Sequence, residues 1–401
     1  MLLPVVAGSL LAASLPVCFP NKPYQLPVGI IETILCLLPI QEAARTSILS
    51  REWKYHWIKI PKLAFIEDTF QESTDWGELS VLEQTFDQPS HRKVMTKRCK
   101  LFYAIYQVLL THQGPIHEFA LCMQVDGSCV EIDHIILHLL KKNTVKILKL
   151  DFNGSYTLPL SFFSLHQLTD LYLNDCVLDH QPSSYVFGSL TTLNLQEIWT
   201  NEKALLRLLS SCPLLKRLTI LSDDGTIDVT GDSTIADLIE CVPVIEYLSI
   251  WFFIYSCFLP LPKELPTTLV HLKYLCMECV CFIHEDLLPF LVLLIRSSPN
   301  LEKLKLEILD EELRGENEPC SYTLEDYSDI MLGHLNDLEI LHFSKEENEL
   351  AVVKLILAKS PVLKNVRILL CDQFDKDEKL KISKILLSSP CASPVVKFIV
   401  S

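Results

Sequence analysis

The sequence predicts an α/β fold: a short N-terminal helical module followed by an irregular repeat array, each repeat supplying one short parallel strand and one covering helix. Three observations predict it. A leucine pattern, LxxLxL, returns throughout the chain from residue 101 onward. A proline stands five residues before the central position of four of these units. Ahead of the repeats, apolar residues at helical spacing occupy residues 30–38 and end at a proline.

Helical reading of the first module, residues 25–65, rests on Ile30, Ile31, Ile34, Leu35 and Leu38, which fall on one wide stripe that Pro39 stops. A second periodic run follows through Ala43, Ala44, Ser47, Ile48 and Leu49, and Trp53 and Trp57 stand four apart, as on one helix face. Some forty residues enclose too little volume to bury an aliphatic stripe and two tryptophans, so apolar surface is left for a partner. Residues 66–100 read as a linker, polar and acidic from Ile66 to Ser90 and basic in HRKVMTKRCK (His91–Lys100). Solvation accounts for that basic run, with a local anion site as the other reading.

In the repeats, alternate residues of an extended segment point the same way, so leucines spaced as in LxxLxL line one face of a strand. The central positions are Phe119, Leu148, Leu171, Leu193, Leu218, Leu248, Leu275, Leu304, Leu341 and Val366, at intervals of 22 to 37 residues. Four units carry the proline signal: Pro213/Leu218, Pro243/Leu248, Pro299/Leu304 and Pro361/Val366. The apolar runs before these prolines are the covering helices, and stacking such units makes a solenoid whose strand side is concave. Cys176 and Cys371 fall where a strand ends and read as buried turn-fillers. The long interval before Leu341 holds the acidic LDEELRGENEPCSYTLED, read as an insertion or boundary between repeats at 101–330 and a terminal region at 331–401.

Composition narrows the function. With 49% hydrophobic and 21% charged residues in 401, the chain buries a large core. A net charge of −15 argues against a nucleic-acid partner. Fifteen cysteines, scattered and mostly in apolar runs, read as free thiols, which points to the cytosol or nucleus. The CxxC of Cys276 and Cys279 has no second pair at metal spacing, so no metal or cofactor is assigned. Residues 1–24 read as a variable leader: the first twenty are apolar, but they lack a basic start and Pro4 and Pro16 interrupt them. No uncharged apolar stretch is long enough to span a membrane, and no membrane partner is expected.

The stretch LPxxIIExILxLLPIxxAARTSxLSRxWxxxWxxIPxL, from Leu26 to Leu63, resembles the F-box of plant F-box/FBD/leucine-rich-repeat proteins. The close of the chain, FSKEENELAVVKLILAKSPVLKNVRI and then KISKILLSSPCASPVVKFIV, resembles the FBD region of the same family. That resemblance implies docking on the Skp adaptor of a Skp–cullin–F-box ubiquitin ligase through Leu26, Pro27, Ile30, Ile31, Ile34, Leu35, Leu38 and Pro39. It also implies repeats that hold a substrate protein and an FBD-like cap on the repeat array. Two positions depart from the family. Val28-Gly29 replaces the acidic residue common after the opening Leu-Pro, and Cys36 sits at a usually polar site; a lost helix cap costs about 1 kcal/mol.

No GxSxG, HExxH, P-loop or GxGxxG occurs, and 11 glycines are few for phosphate-cradling loops. His134 and His138, spaced i, i+4, lack a third ligand, and the pairs Asp223/Asp224 and Glu311/Glu312 read as solvated loops. No catalytic residue is assigned. The expected function is a non-enzymatic substrate adaptor, with a repeat scaffold carrying a degenerate F-box as the alternative. A secreted repeat receptor would need residues 1–20 to act as a signal peptide.

Overall fold

The computed structural model describes residues 27–38, 40–48, 53–69, 89–125, 127, 129–179, 187–221, 227–228, 234–251, 261–282, 286–309, 327, 330–371 and 374–401. Leu26, Pro39, the leader, most of the acidic insertion and the pairs Asp223/Asp224 and Glu311/Glu312 lie outside the described residues. Two compact units divide the chain: Met1–Gln124 with His134–Lys149, and Val125–Asp133 with Leu150–Ser401.

The first unit opens with α1 (Val28–Cys36) and α2 (Ile40–Arg45). Ile31, Leu35, Ile40 and Ala43 are buried between them and their neighbours. The tryptophans do not share a helix. Trp53 and Trp57 lie in separate 3-10 turns, Trp53–Tyr55 and Trp57–Lys59, and only Trp57 is fully buried. Strand β1 (Lys62–Ile66) follows and pairs in parallel with β2 (Glu118–Gln124), Leu63 against Phe119. The sequence reading placed 62–65 in the helical module and missed this rung. Its period-2 signal is short, Leu63 and Phe65 alone pointing inward. The basic His91–Lys100 stretch is likewise not a linker but part of α3 (Pro89–Thr111), anchored downstream by buried Leu101, Phe102, Ile105 and Leu109 at helical spacing.

Helix α4 (Val130–Lys142) and β3 (Ile147–Thr157) come next along the chain. In the second unit the strands follow chain order: β4 (Asp170–Val177), β5 (Thr192–Gln196), β6 (Arg217–Leu221), β7 (Tyr247–Trp251), β8 (Tyr274–Val280), β9 (Lys303–Ile308), β10 (Asp337–Phe343), β11 (Asn365–Leu370) and β12 (Lys397–Val400). Every neighbouring pair from β4 to β12 is parallel. Between strands lie α5 (Glu202–Ser210), α6 (Ile235–Glu240), α7 (Leu287–Ser297), α8 (Glu347–Lys359) and α9 (Lys376–Leu387). Asn201 caps α5, its side chain accepting from the Ala204 amide at 2.9 Å, and Asp375 caps α9, accepting from the Glu378 amide at 2.8 Å. Pro213, Pro243, Pro299 and Pro361 stand just beyond the ends of α5 to α8, where a residue without an amide hydrogen breaks the helix and starts the turn into the next strand.

Register is shared through the central rung positions, with shifts only past them, between Met277 and Val280 in β8 and between Ile340 and Phe343 in β10. Leu171, Leu193, Leu218, Leu248, Leu275, Leu304, Leu338, Val366 and Phe398 stand side by side. The ninth unit is therefore centred on Leu338, not Leu341. The sequence LNDLEILHF fits LxxLxL from Leu335 or from Leu338, and a choice off by an odd number of residues turns a strand over. Leu341 pairs with Glu307 on the half-exposed face, while His342 takes a left-handed φ of 55° and brings Phe343 inward. Cys279 in β8 does the same with a φ of 53°, and Asp175 in β4 likewise with 53°.

From β5 to β9, strands are joined ahead of the rung by a shared acceptor. The Thr191 carbonyl receives the Lys216 and Arg217 amides, Lys216 those of Glu246 and Tyr247, Glu246 those of Lys273 and Tyr274, and Lys273 those of Glu302 and Lys303, all at 2.8 to 3.1 Å.

Truncating a rung leaves a cavity in this ladder, so Leu218→Ala is expected to cost about 2–5 kcal/mol. Thr219→Ala, one residue along on the open face, should stay within about 0.5 kcal/mol; urea unfolding midpoints measure both. Gly154 has φ +125°, and a Cβ there would lie 2.1 Å from the Val125 carbonyl oxygen. Gly154→Ala is expected to lower stability by more than about 1 kcal/mol in the same assay.

Candidate functional site

Two surfaces carry side chains that the fold leaves unused. The first is the helical module. Of the predicted docking residues, Ile31 and Leu35 face inward, 4% and 0% exposed, and Ile34 and Leu38 are half-buried. Ile30 is 47% exposed, Pro27 is exposed, and Leu26 and Pro39 are outside the described residues. Leu37, at 80%, stands furthest out, with Val28 and Ile48 also exposed. The stripe thus splits into a row that closes the module and a row left on its surface. The α1 start has no side-chain cap and no acid in its first turn, as Val28-Gly29 implies.

What ties this module to the strands of its unit is His112, just past α3. Its Nε2 lies 2.9 Å from the Ile60 carbonyl, so the neutral ring donates there, and Lys142 Nζ reaches the His112 carbonyl at 3.4 Å. Burial holds the imidazole below its ordinary value, and Lys142 acts the same way against the raising effect of the Ile60 carbonyl. On β2, Glu118 accepts from Lys149 at 3.0 Å and from Lys62 at 3.3 Å. Although burial opposes it, these two ammonium groups hold that carboxyl below the usual glutamate range.

The second surface is the open face of the strands in the second unit, opposite the inward leucines. Position by position, Arg217, Tyr247, Tyr274 and Lys303 are register partners on β6 to β9. They form a continuous stack. The Arg217 guanidinium lies 4.4 Å from the Tyr247 ring centre, the two tyrosine rings are parallel within 3° at 4.4 Å, and Lys303 Nζ lies 5.3 Å from the Tyr274 centre. Burial raises both phenols above their ordinary value, so they stay protonated at neutral pH. In the next row along, Ser249 Oγ donates to Glu278 at 3.1 Å, Lys305 to Glu307 at 2.9 Å, and Arg367 to Glu339 at 3.3 Å.

Sequence reading missed this stack, although its signal is present. Each member is the residue just before a central leucine, in RLTI, YLSI, YLCM and KLKL, and aligning the repeats on that leucine brings the four together.

Burial pushes the Cys176 and Cys276 thiols up, Cys276 to about 11, and Cys176 Sγ donates to the Asn174 carbonyl at 3.4 Å at its strand end. Cys371 Sγ does the same to His342 at 3.1 Å. His134 is exposed and His138 half-buried, and among the described residues no group of three or more His, Cys, Asp or Glu side chains is placed to hold a metal.

Leucine rungs, parallel strands and intervening helices together define a leucine-rich-repeat protein. A family model for the leucine-rich repeats of FBD-associated F-box protein At5g56370 matches residues 135–233. The F-box/FBD/LRR-repeat protein At1g13570 of Arabidopsis thaliana is 30% identical across 92% of this chain and 95% of its own length. The putative FBD-associated F-box protein At5g56390 of that plant is 25% identical across 90% of this chain and 94% of its own. FBD-associated F-box protein At5g56370 is 24% identical across 76% and 77%. The chain belongs to the F-box/FBD/leucine-rich-repeat family.

Because His112 is neutral and its value lowered in the folded chain, the unfolded chain binds the extra proton. Stability is then full above the ordinary histidine value of 6.5 and is lost as pH falls below it. Thermal midpoints are expected to drop between about pH 7 and 5, and His112→Gln is expected to flatten that drop while leaving the lower-pH loss from Glu118 in place.

Proposed function

We propose that this chain is a non-enzymatic substrate adaptor of a Skp–cullin–F-box ubiquitin ligase, working where thiols stay reduced, in the cytosol or nucleus. One observation carries the reading: a chain related over nearly its whole length to F-box/FBD/LRR-repeat proteins keeps aliphatic side chains exposed on its small N-terminal helices. Burying a Leu or Ile side chain is worth about 1.5–3 kcal/mol. Exposed aliphatic residues concentrated on so short a module therefore favour a protein partner.

In this reading Leu26, Pro27, Ile30, Ile34, Leu38 and Pro39 form the docking edge on a Skp adaptor, with Ile31 and Leu35 behind them as its support. The adaptor connects the chain to a cullin. The repeats hold a target protein on the open strand face of a solenoid, and the FBD-like residues 331–401 cap that array. Ubiquitin transfer is then chemistry of the partners; the chain supplies position.

A second reading, a repeat scaffold with a degenerate F-box outside any ligase, is favoured by the uncapped start of α1.

Co-purification with a purified Skp adaptor separates them. The parent chain is expected to be retained, and Ile34→Asp with Leu38→Asp is expected to abolish retention without moving the thermal midpoint of the repeats. Retention that survives both substitutions would sink the docking edge, and no retention of the parent would favour the scaffold.

A further inference from the structure

We propose that the open strand face binds an extended acidic peptide segment, one carboxylate docking at each end of the Arg217–Tyr247–Tyr274–Lys303 stack. The proposal rests on that face being the partner-binding surface and specifies what the partner presents there.

Charge accounting on the face points to an anionic occupant. Its carboxylates already accept from within the chain. Asp151 takes the Asn174 amide at 2.7 Å, Asp170 the Thr169 hydroxyl at 2.7 Å, and Asp337 the Asn365 amide at 2.7 Å. Glu278, Glu307 and Glu339 are held by Ser249, Lys305 and Arg367. A basic segment would have to displace these donors one by one. The donors are less committed. Arg217 is exposed and has no carboxylate partner among the described residues, so its guanidinium fork keeps its N–H groups for a ligand. Lys303 is half-exposed and its ion pair with Glu339, at 3.4 Å, is of the solvent-screened kind that exchanges readily.

The stack also disfavours an apolar occupant. Each tyrosine ring has one face against the other ring and its second face under a cation, so no bare aromatic face is left for a side chain to lie on. Stacking holds the two cationic side chains in place before a ligand arrives, which reduces the ordering that binding must impose.

Spacing sets the register of the ligand. Four neighbouring strands at about 4.8 Å place the two cations some 14 Å apart, and an extended peptide advances about 3.3 Å per residue. Carboxylates at i and i+4 span that distance and, with period-2 alternation, lie on the same side of the peptide. A single phosphate would meet one cation at a time, since Arg217 and Lys303 lie at opposite ends of the stack; separate carboxylates match both.

The test is selection of displayed random peptides on the full-length chain, with no Skp adaptor present, followed by fluorescence anisotropy of the recovered peptides as synthetic probes. Recovered peptides are expected to carry Asp or Glu at i and i+4. Arg217→Glu and Lys303→Glu should each weaken binding about tenfold or more, as loss of a charge-assisted hydrogen bond implies. Arg217→Gln serves as a milder variant, and circular dichroism melts confirm that all three keep the fold. Basic or apolar peptides, no recovery above a bare surface, or acidic binding indifferent to both cations would each overturn the proposal. Because no Skp adaptor is present in the selection, a failed Skp interaction and a failed peptide site are told apart.

Discussion

A carbonyl just ahead of most strands accepts two amide hydrogens from the following repeat, as Lys216 does from Glu246 and Tyr247, and this shared acceptor sets the register of the second unit. Once that bond is placed, Leu218 must stand beside Leu248 and Leu248 beside Leu275, all pointing inward at 1% exposure or less. A slip of one residue would send every such leucine to solvent and every polar neighbour into the core. The cost of that exchange, repeated over the rungs, is what holds repeats of unequal length in a single alignment. Loops absorb the variation in repeat length while the rungs stay in line.

The same bond decides what the open face looks like. Residues before the central leucine are brought into one row because their successors are brought into another, so Arg217, Tyr247, Tyr274 and Lys303 meet although they are some thirty residues apart in sequence. None of the four buries enough surface to hold such a row alone. The ladder beneath them holds their Cα atoms at strand spacing, close to the separation at which parallel rings stack. A recognition surface of this kind is a by-product of core packing, free to change chemistry without changing fold.

In the helical module the balance is different. Its stripe is too wide for its own interior: Ile31 and Leu35 close the core and Ile30 remains outside, with Leu37 exposed beside the stripe. His112 shows the reverse case, a polar group taken inside to tie Ile60 to the end of α3, which is tolerable only as a neutral, hydrogen-bonded ring.

The α/β class, the strand-and-helix repeat, the proline breaks and most of the chosen rungs were legible in the sequence, because inward positions need apolar side chains at period 2 and helices need them near period 3.6. Where that signal is ambiguous it failed. LNDLEILHF supports two frames, and only pairing with β9 selects Leu338; KLAFI is too short to stand out as a strand; and the basic run of α3 is helical because of apolar residues that follow it. By itself, then, the sequence determined the repeat elements and which family the chain resembles, since both are written in local periodicity and motif. The tertiary structure alone decided which half of the N-terminal stripe faces out, that His342 and Cys279 adopt left-handed turns, and that two cations and two tyrosines form one stack. Those outcomes depend on contacts between residues far apart in the chain: the leucine frame puts the four stack residues in one row, but only the pairing of the strands brings their side chains together.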